Sequence, residues 1–552
     1  MVDTQAAATS TDSAVVANPG GPQARPSMVW DAWGSPAGHK PLSEQIRGLL
    51  TQVFGVSGEP VARRDEGDVP LPASALTAEH RAGLAALVGA ERVSTDHRDR
   101  LLRSGGKSTP DLLRRRSEGP QDAPDAVVFP GDHAQVAALL EYCSAAGIAV
   151  VPFGGGTSVV GGLDPARGGF DTVIALDLNR LDALTEVDPI SGTATLGAGL
   201  SGPQAEELLA RQGLSIGHFP QSFEYATIGG FAATRSSGQA SAGYGRFDDM
   251  IQRLTIATPA GTLELGRAPA SAAGPDLREL FSGSEGTLGI ITAVTLRVHP
   301  VPEATGYQAW SFPDFATGAT ALRTVIQAGA APTVMRLSDE AETGLNLARA
   351  GDIGGAAVGG CLAVTTFEGT AAHVAARSAE ATALLTAAGG TALGETPARE
   401  WEHGRFAAPY LRDSLLDVGV LCETLETATT WANLANLKAK VTAALTDSLT
   451  AQGTPALVMC HISHTYPTGA SLYFTIVGKQ AEDPIAQWAI AKRAAGDAIV
   501  AAGGTITHHH AVGADHRPWM TDEIGDLGVR VLRAVKQAVD PAGILNPGKL
   551  IP

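Results

Sequence analysis

The chain is poor in cysteine, in long apolar runs and in basic charge. Its four cysteines, Cys143, Cys361, Cys422 and Cys460, are scattered through 552 residues without C-x-x-C spacing. That excludes a disulfide framework or zinc ribbon and predicts buried thiols in a reducing compartment, the cytoplasm. No stretch approaches the ~20 uninterrupted apolar residues of a membrane span, so a soluble chain is expected. Lys and Arg number 40 against 57 Asp and Glu, a formal charge of −17. Such a surplus of acid argues against nucleic acid as a partner, while leaving room for a local basic pocket. The segment from Met1 to about Ala24 lacks the basic-then-apolar order of a secretion signal and reads as a disordered leader ending near residue 27. Internal repeats are not evident.

Glycine is abundant, and its placement carries information. The apolar run Ile148-Ala149-Val150-Val151 leads into Pro152-Phe153-Gly154-Gly155-Gly156-Thr157-Ser158. This reads as a strand breaking into a loop whose amides can converge on one point, with Thr157 and Ser158 adding hydroxyl donors; such a nest suits a pyrophosphate. A lone glycine triplet is more often a surface turn. A dinucleotide fingerprint fits poorly, because the loop runs on through Val159, Val160, Gly161 and Gly162 before a helix can start. Gly106-Lys107-Ser108 has the tail of a Walker loop, but Leu101 occupies the place of its first glycine.

Residues 41–118 read mostly as helices, with apolar faces at Leu49, Leu50, Val53 and Phe54 and from Leu76 to Leu87. Trp30 and Trp33 are expected to be docked, and Arg114-Arg115-Arg116 to form a solvated face. From Asp125 strands and helices alternate: a strand at Ala126–Pro130, then a helix capped by Asp132 and ended by Gly147. Two more small-residue segments follow, Gly217–Gly230 with Thr234–Gly238, and Gly283–Thr292. Three such loops punctuating one sheet suggest an extended ligand lying along backbone. Farther on, the strands Cys361–Thr366 and Ser471–Val477 alternate with Ala-rich helices such as Ala371–Ala388. Three adjacent histidines, His508, His509 and His510, offer proton transfer near neutral pH and charge for a phosphate, or are simply packed. His461 and His464 have an H-x-x-H spacing that occurs in metal sites, but no metal ligand set is assigned.

The order of glycine triplet, Thr227-Ile228-Gly229-Gly230, Gly283-Ser284-Glu285-Gly286-Thr287-Leu288-Gly289-Ile290-Ile291-Thr292 and Asp540–Lys549 resembles the FAD-linked oxidases of the vanillyl-alcohol oxidase (PCMH) type. Four segments resemble one branch, the alkyldihydroxyacetonephosphate synthases: Trp30–Gly34, Gly217–Pro220 with Tyr225–Thr227, Pro409–Asp413 and Thr507–His510. The competing branch, flavin-dependent 2-hydroxy-acid dehydrogenases, usually has His where this chain has Tyr473 and Glu where it has His509. The chain departs from the synthases at Gln221, in a stretch where they carry acidic residues, and at Ala514, where they carry Lys.

The resemblance implies an α+β fold: a disordered leader (1–27), a helical region (28–120), an FAD domain of two subdomains (121–300), a substrate cap (301–505) and a closing segment (506–552). It implies non-covalent FAD, with pyrophosphate and ribose contacts from Pro152, Phe153, Gly154, Gly155, Gly156, Thr157 and Ser158. Flavin and adenine contacts would come from Gln221, Ser222, Thr227, Gly229, Gly230, Thr234, Arg235, Ser236, Ser237, Glu285, Gly286, Thr287, Leu288, Gly289, Ile290 and Ile291. The implied reaction exchanges the acyl chain of acyl-dihydroxyacetone phosphate for a fatty alcohol, in ether lipid synthesis. Tyr473 would be the proton shuttle, with His508, His509 and His510 lowering its pKa and His218 assisting at the flavin side. Arg412, and secondarily Arg336, would pair a phosphate or carboxylate. The expected partner is a small phosphorylated or carboxylate molecule with a lipid chain, with room for peripheral membrane contact and a homodimer.

Overall fold

A computed structural model of the chain describes residues 25–56, 59–60, 62–346, 348, 353–354 and 359–552. The expected leader falls outside the described residues up to residue 24. Among the described residues, the strands before residue 300 make two larger sheets. One is four-stranded, with Ile148–Phe153 and Ala126–Val128 running parallel to Thr172–Asp177 between them and Val93–Ser94 at its edge. The helix His133–Ala146 covers it, capped by Asp132 accepting from the Gln135 amide and ended by Gly147 in the left-handed region. The second is a five-stranded antiparallel sheet of residues 184–188, 193–197, 290–297, 251–258 and 261–265.

Residues 304–479 contribute a seven-stranded antiparallel sheet with its hairpin Ala456–Thr465 and Gly469–Lys479 between Val334–Ser338 and Val420–Thr430. Period-two alternation divides its residues between two faces. Leu472, Phe474 and Ile476 are fully buried in a core shared with Leu437, Val441 and Leu445 of one helix and Ala491 and Ala495 of another. Tyr473, Thr475 and Val477 face the opposite way, into a cavity. No described helix is long and apolar enough to cross a membrane.

Of the Arg114-Arg115-Arg116 run only Arg114 is solvated. Arg115 is buried, and its Nη1 donates to Trp30 O (2.6 Å), while Arg116 Nε donates to Asp31 O (3.2 Å). Lys107 Nζ donates to the carbonyls of Val29 (2.5 Å) and Trp30 (3.1 Å). The buried tryptophan segment thus folds over the helix Thr109–Arg116 and supplies the acceptors that these cations need. In the first predicted apolar face Leu50 is buried but Val53 is 56% exposed, so that face is narrower than its apolar content suggests.

The chain's end returns to the glycine-loop strand. Val150 N donates to Ile544 O (2.9 Å) and Asn546 N to Val150 O (2.8 Å), extending the parallel sheet by one bridge. The turn is held by the buried Asp540 carboxylate, which accepts from the amides of Ile544 (3.1 Å) and Leu545 (2.8 Å) and pairs with Lys536 (2.6 Å). Asp540→Ala would leave two amides without their partner and the half-buried Lys536 ammonium with only the carbonyls of Thr287 and Leu545. We expect a loss of about 3–5 kcal/mol in urea unfolding; an unchanged midpoint would contradict this role.

Candidate active site

One cavity of about 1580 Å³ runs between the first two sheets and the seven-stranded one. That exceeds the roughly 300–1,000 Å³ typical of a small-ligand site and leaves space for a cofactor and a substrate together. Its wall on one side contains Pro152 to Ser158, Gln221, Ser222, Thr227, Gly229, Gly230, Thr234, Ser236, Ser237, Glu285, Gly286, Gly289, Ile290 and Ile291. Three sequence candidates stand elsewhere. Arg235 turns outward, donating to Glu279 and to Ser282 O; Leu288 is packed in the core; the Thr287 hydroxyl donates to Ser284 O (2.7 Å).

The loops touch through backbone. A Cβ on Gly155 would lie 2.1 Å from Tyr225 O, and Gly156 has φ +72°. Even Gly106-Lys107 serves this packing, because Lys107 N donates to Ser158 O (2.7 Å). Glu285 joins the third loop to the segment after the histidines: its buried carboxylate accepts from Val512 N (2.8 Å) and Gly513 N (2.7 Å). Burial pushes its pKa up, to about 7, against the pull of those two amides. The wall fits FAD. The amides of Gly154, Gly155, Gly156 and Thr157 have no partner among the described residues, and neither do the buried Gln221 Nε2 and Gln239 Oε1 on the same wall. Unsatisfied buried polar atoms are costly, and a dinucleotide's pyrophosphate and ring edges supply what they lack.

Opposite this wall stand Arg336, Arg412, Thr424, His461, Ser463, His464, Tyr473, His509 and His510. The Tyr473 hydroxyl donates to Thr424 Oγ1 (3.0 Å), and its ring stacks on His461 at 4.9 Å and meets His510 edge-on at 5.6 Å. The histidines do not lower its pKa. Burial, joined by Glu423 and Glu426, pushes the phenol up to about 12, so Tyr473 is held as the neutral phenol. Burial also holds His509 and His510 below the usual imidazole range.

The histidine tract is a loop wrapped on a carboxylate. Glu426 is buried and accepts from Thr507 Oγ1 (2.6 Å), His508 N (2.6 Å), His509 N (3.1 Å) and His510 N (2.9 Å). Against the cost of burial its pKa is held well below the usual carboxylate range, with the hydrogen bond from Thr507 among the causes. His509 and His510 line the cavity, whereas His508 sits behind them, bonded to Tyr466 Oη (2.6 Å) and His509 Nδ1 (3.0 Å). His218 is also off the cavity wall, one side chain behind Ser236. Its ring is wedged against Phe231 and Phe247, bonded to Ser236 Oγ (3.0 Å), and burial pushes its pKa down to about 3; it is a packed core histidine.

Both predicted arginines reach the cavity, with different commitments. Arg412 gives Nε and Nη2 to Asp413 Oδ1 (3.2 and 3.1 Å) and Nη1 to Lys107 O (2.7 Å). Arg336 Nη2 binds Glu342 and His461 Nδ1 (3.0 Å), but its buried Nε has no partner among the described residues. Arg336 and His461 outweigh burial at Glu342 and pull its carboxyl down to about 2. Sequence reasoning missed Thr424, Glu342, Glu426 and Gln239. None stands in a recognisable motif: Thr424 and Glu426 are brought to the site by the register of one strand, Glu342 by the short helix Glu340–Gly344 and Gln239 by a loop.

Gly155→Ala should abolish FAD loading, since the new methyl meets backbone that cannot move without parting two loops. We expect colourless protein that stays colourless after incubation with FAD; a yellow, fully loaded variant would contradict this packing.

Comparison with known proteins agrees with this architecture. Residues 124–266 match the FAD binding domain and residues 301–550 the C-terminal domain of FAD linked oxidases. Alkyldihydroxyacetonephosphate synthase of Dictyostelium discoideum is 36% identical over 482 residues, covering 84% of this chain and 79% of that protein. The synthase of Trypanosoma brucei brucei is 33% identical over 544 residues, covering 93% and 88%. A solved alkyldihydroxyacetonephosphate synthase superposes with TM-score 0.80 at 30% identity over 95% of this chain and 99% of that one. With the three loops, the cap sheet and the histidine loop in place, the chain belongs to the alkyldihydroxyacetonephosphate synthase family of FAD-linked oxidases.

Proposed function

We propose that this chain is an FAD-dependent alkyldihydroxyacetonephosphate synthase, replacing the fatty acyl group of acyl-dihydroxyacetone phosphate with a fatty alcohol. One observation carries the reading: a single cavity joins the FAD wall to a cation, neutral acid–base groups and an apolar arm. That arm is lined by Leu42, Ile46, Leu411, Leu415, Cys422 and Val477, and its aliphatic surface suits a long chain. The exchange is redox-neutral: a fatty acid leaves and an alcohol enters, giving up its proton.

Bound FAD supplies an electron sink beside the carbon that loses its proton. The chain's residues do the rest. Arg336 offers its unpartnered Nε to the substrate phosphate, a charge-assisted contact held in place by Glu342 and His461. This places Arg336 ahead of Arg412, whose guanidinium is largely engaged by Asp413 and Lys107. The neutral imidazoles of His509 and His510 accept the proton, with Glu426 behind them to stabilise the imidazolium. Tyr473, neutral and held beside Thr424, turns its hydroxyl from Thr424 Oγ1 to give a hydrogen bond to the leaving carboxylate. The lipid chain of the substrate is also the reason to expect peripheral membrane contact; a homodimer belongs to the same reading.

Exchange is tested by incubating the holoenzyme with acyl-dihydroxyacetone phosphate and labelled hexadecanol, expecting labelled ether and released fatty acid. Anaerobic bleaching of the flavin by a 2-hydroxy acid, with no exchange, would overturn the assignment in favour of a dehydrogenase. Tyr473→Phe should keep FAD bound and lower turnover roughly 10²–10⁴-fold, the usual contribution of a positioned acid–base group; near-normal exchange removes it from the mechanism. Arg336→Lys should raise KM about 10–100-fold, the worth of a hydrogen bond to a charged group, with the flavin spectrum unchanged. An unmoved KM would return the phosphate to Arg412.

A further inference from the structure

His464, which the proposed exchange does not use, completes a ring with two residues of the histidine tract. Its ring centroid lies 5.0 Å from that of His508 and 5.2 Å from that of His509, and those two are 5.2 Å apart. Each can present one ring nitrogen such that all three lie within 4.8 Å of one another. A tetrahedral ion with nitrogen ligands at about 2.0–2.1 Å needs donors about 3.4 Å apart, so the three rings must draw closer to close around one. His508 Nδ1 and His509 Nδ1 are already 3.0 Å apart.

We propose that His464, His508 and His509 form a binding site for a divalent transition ion of the zinc class, with its open position toward the cavity, and that occupancy inhibits the enzyme. One further feature supports it. Glu426 is a buried negative charge behind two of the ligands, bonded to their amides, and no Lys or Arg forms a salt bridge with it among the described residues. A dication would offset that charge, and the carboxylate would fix ligand orientation from the outer shell. To ligate, His464 must give up one of its present contacts, Nε2 with Gly238 O (3.1 Å) or Nδ1 with Ser463 Oγ (2.9 Å) and Ser471 Oγ (3.3 Å). The Arg246 charge that reaches the same rings is paired with Asp248 (3.1 Å).

The inhibitory part rests on the exchange reading, since the ion would occupy the His509 lone pair assigned to proton transfer; the binding part does not. The FAD-loaded protein, freed of metals with a chelator, is titrated with Co2+ and read on the long-wavelength side of the flavin band. One equivalent should give the visible absorption of tetrahedral cobalt, and Zn2+ should erase it. His464→Ala and His509→Ala should lose that band with the flavin spectrum retained, and Glu426→Gln should weaken Co2+ binding roughly 10–100-fold, as outer-shell losses do. Absence of the band, or a band kept by both histidine variants, overturns the site. A band without Zn2+ inhibition of exchange overturns only the inhibitory part and leaves the binding site standing.

Discussion

The contact on which the rest depends is the one between the 154–156 loop and the Tyr225-Ala226 backbone. With only a hydrogen at Gly155, the two segments approach until a methyl would sit 2.1 Å from a carbonyl oxygen. The third loop adds the same constraint, since a Cβ on Gly286 would meet Pro152 Cγ at 2.3 Å. Three loops from two sheets thereby present one continuous wall of backbone and small side chains. A larger residue at any of these positions would hold the sheets apart and separate donors that must reach a single dinucleotide.

Buried carboxylates organise the opposite wall. Glu426 gathers the amides of three successive histidines, Glu342 holds Arg336 and His461, and Glu285 anchors the backbone at Val512 and Gly513. Each has lost its hydration and regains it as fixed hydrogen bonds, which makes the arrangement costly to build and rigid once made. The electrostatic result is a site of neutral acid–base groups, with Tyr473 raised and the imidazoles lowered, while negative charge is kept beneath the loop instead of at its surface. That poise favours moving a proton between neutral partners over storing a phenolate.

The cap sheet links the two walls mechanically. Its strand Gly469–Lys479 puts Leu472, Phe474 and Ile476 into the helix-covered core and Tyr473, Thr475 and Val477 into the cavity. Core packing on one face therefore sets the position of Tyr473 on the other. The pairing of Tyr473 with Glu426 and His461 in the neighbouring strands puts the phenol, the histidine loop's anchor and the imidazole beside Arg336 in one row. The docked tryptophan segment extends this order across the molecule, since Trp33 N donates to Asp413 (2.5 Å), the residue that also holds Arg412.

Local sequence determined a good deal: the strand and glycine loop at 148–158, the helix bounded by Asp132 and Gly147, the side of its strand that Tyr473 faces, and the family through its motif order. Those features depend on backbone angles, caps and alternation, which neighbours in the chain decide. The roles of charged residues did not follow. Arg115 and Arg116 are sequestered by carbonyls 85 residues away, His218 by two phenylalanines, and the histidine tract by Glu426 more than 80 positions earlier. A side chain's proton affinity and free valence are properties of what surrounds it, and for these groups the surroundings are assembled from distant segments only when the sheets pack.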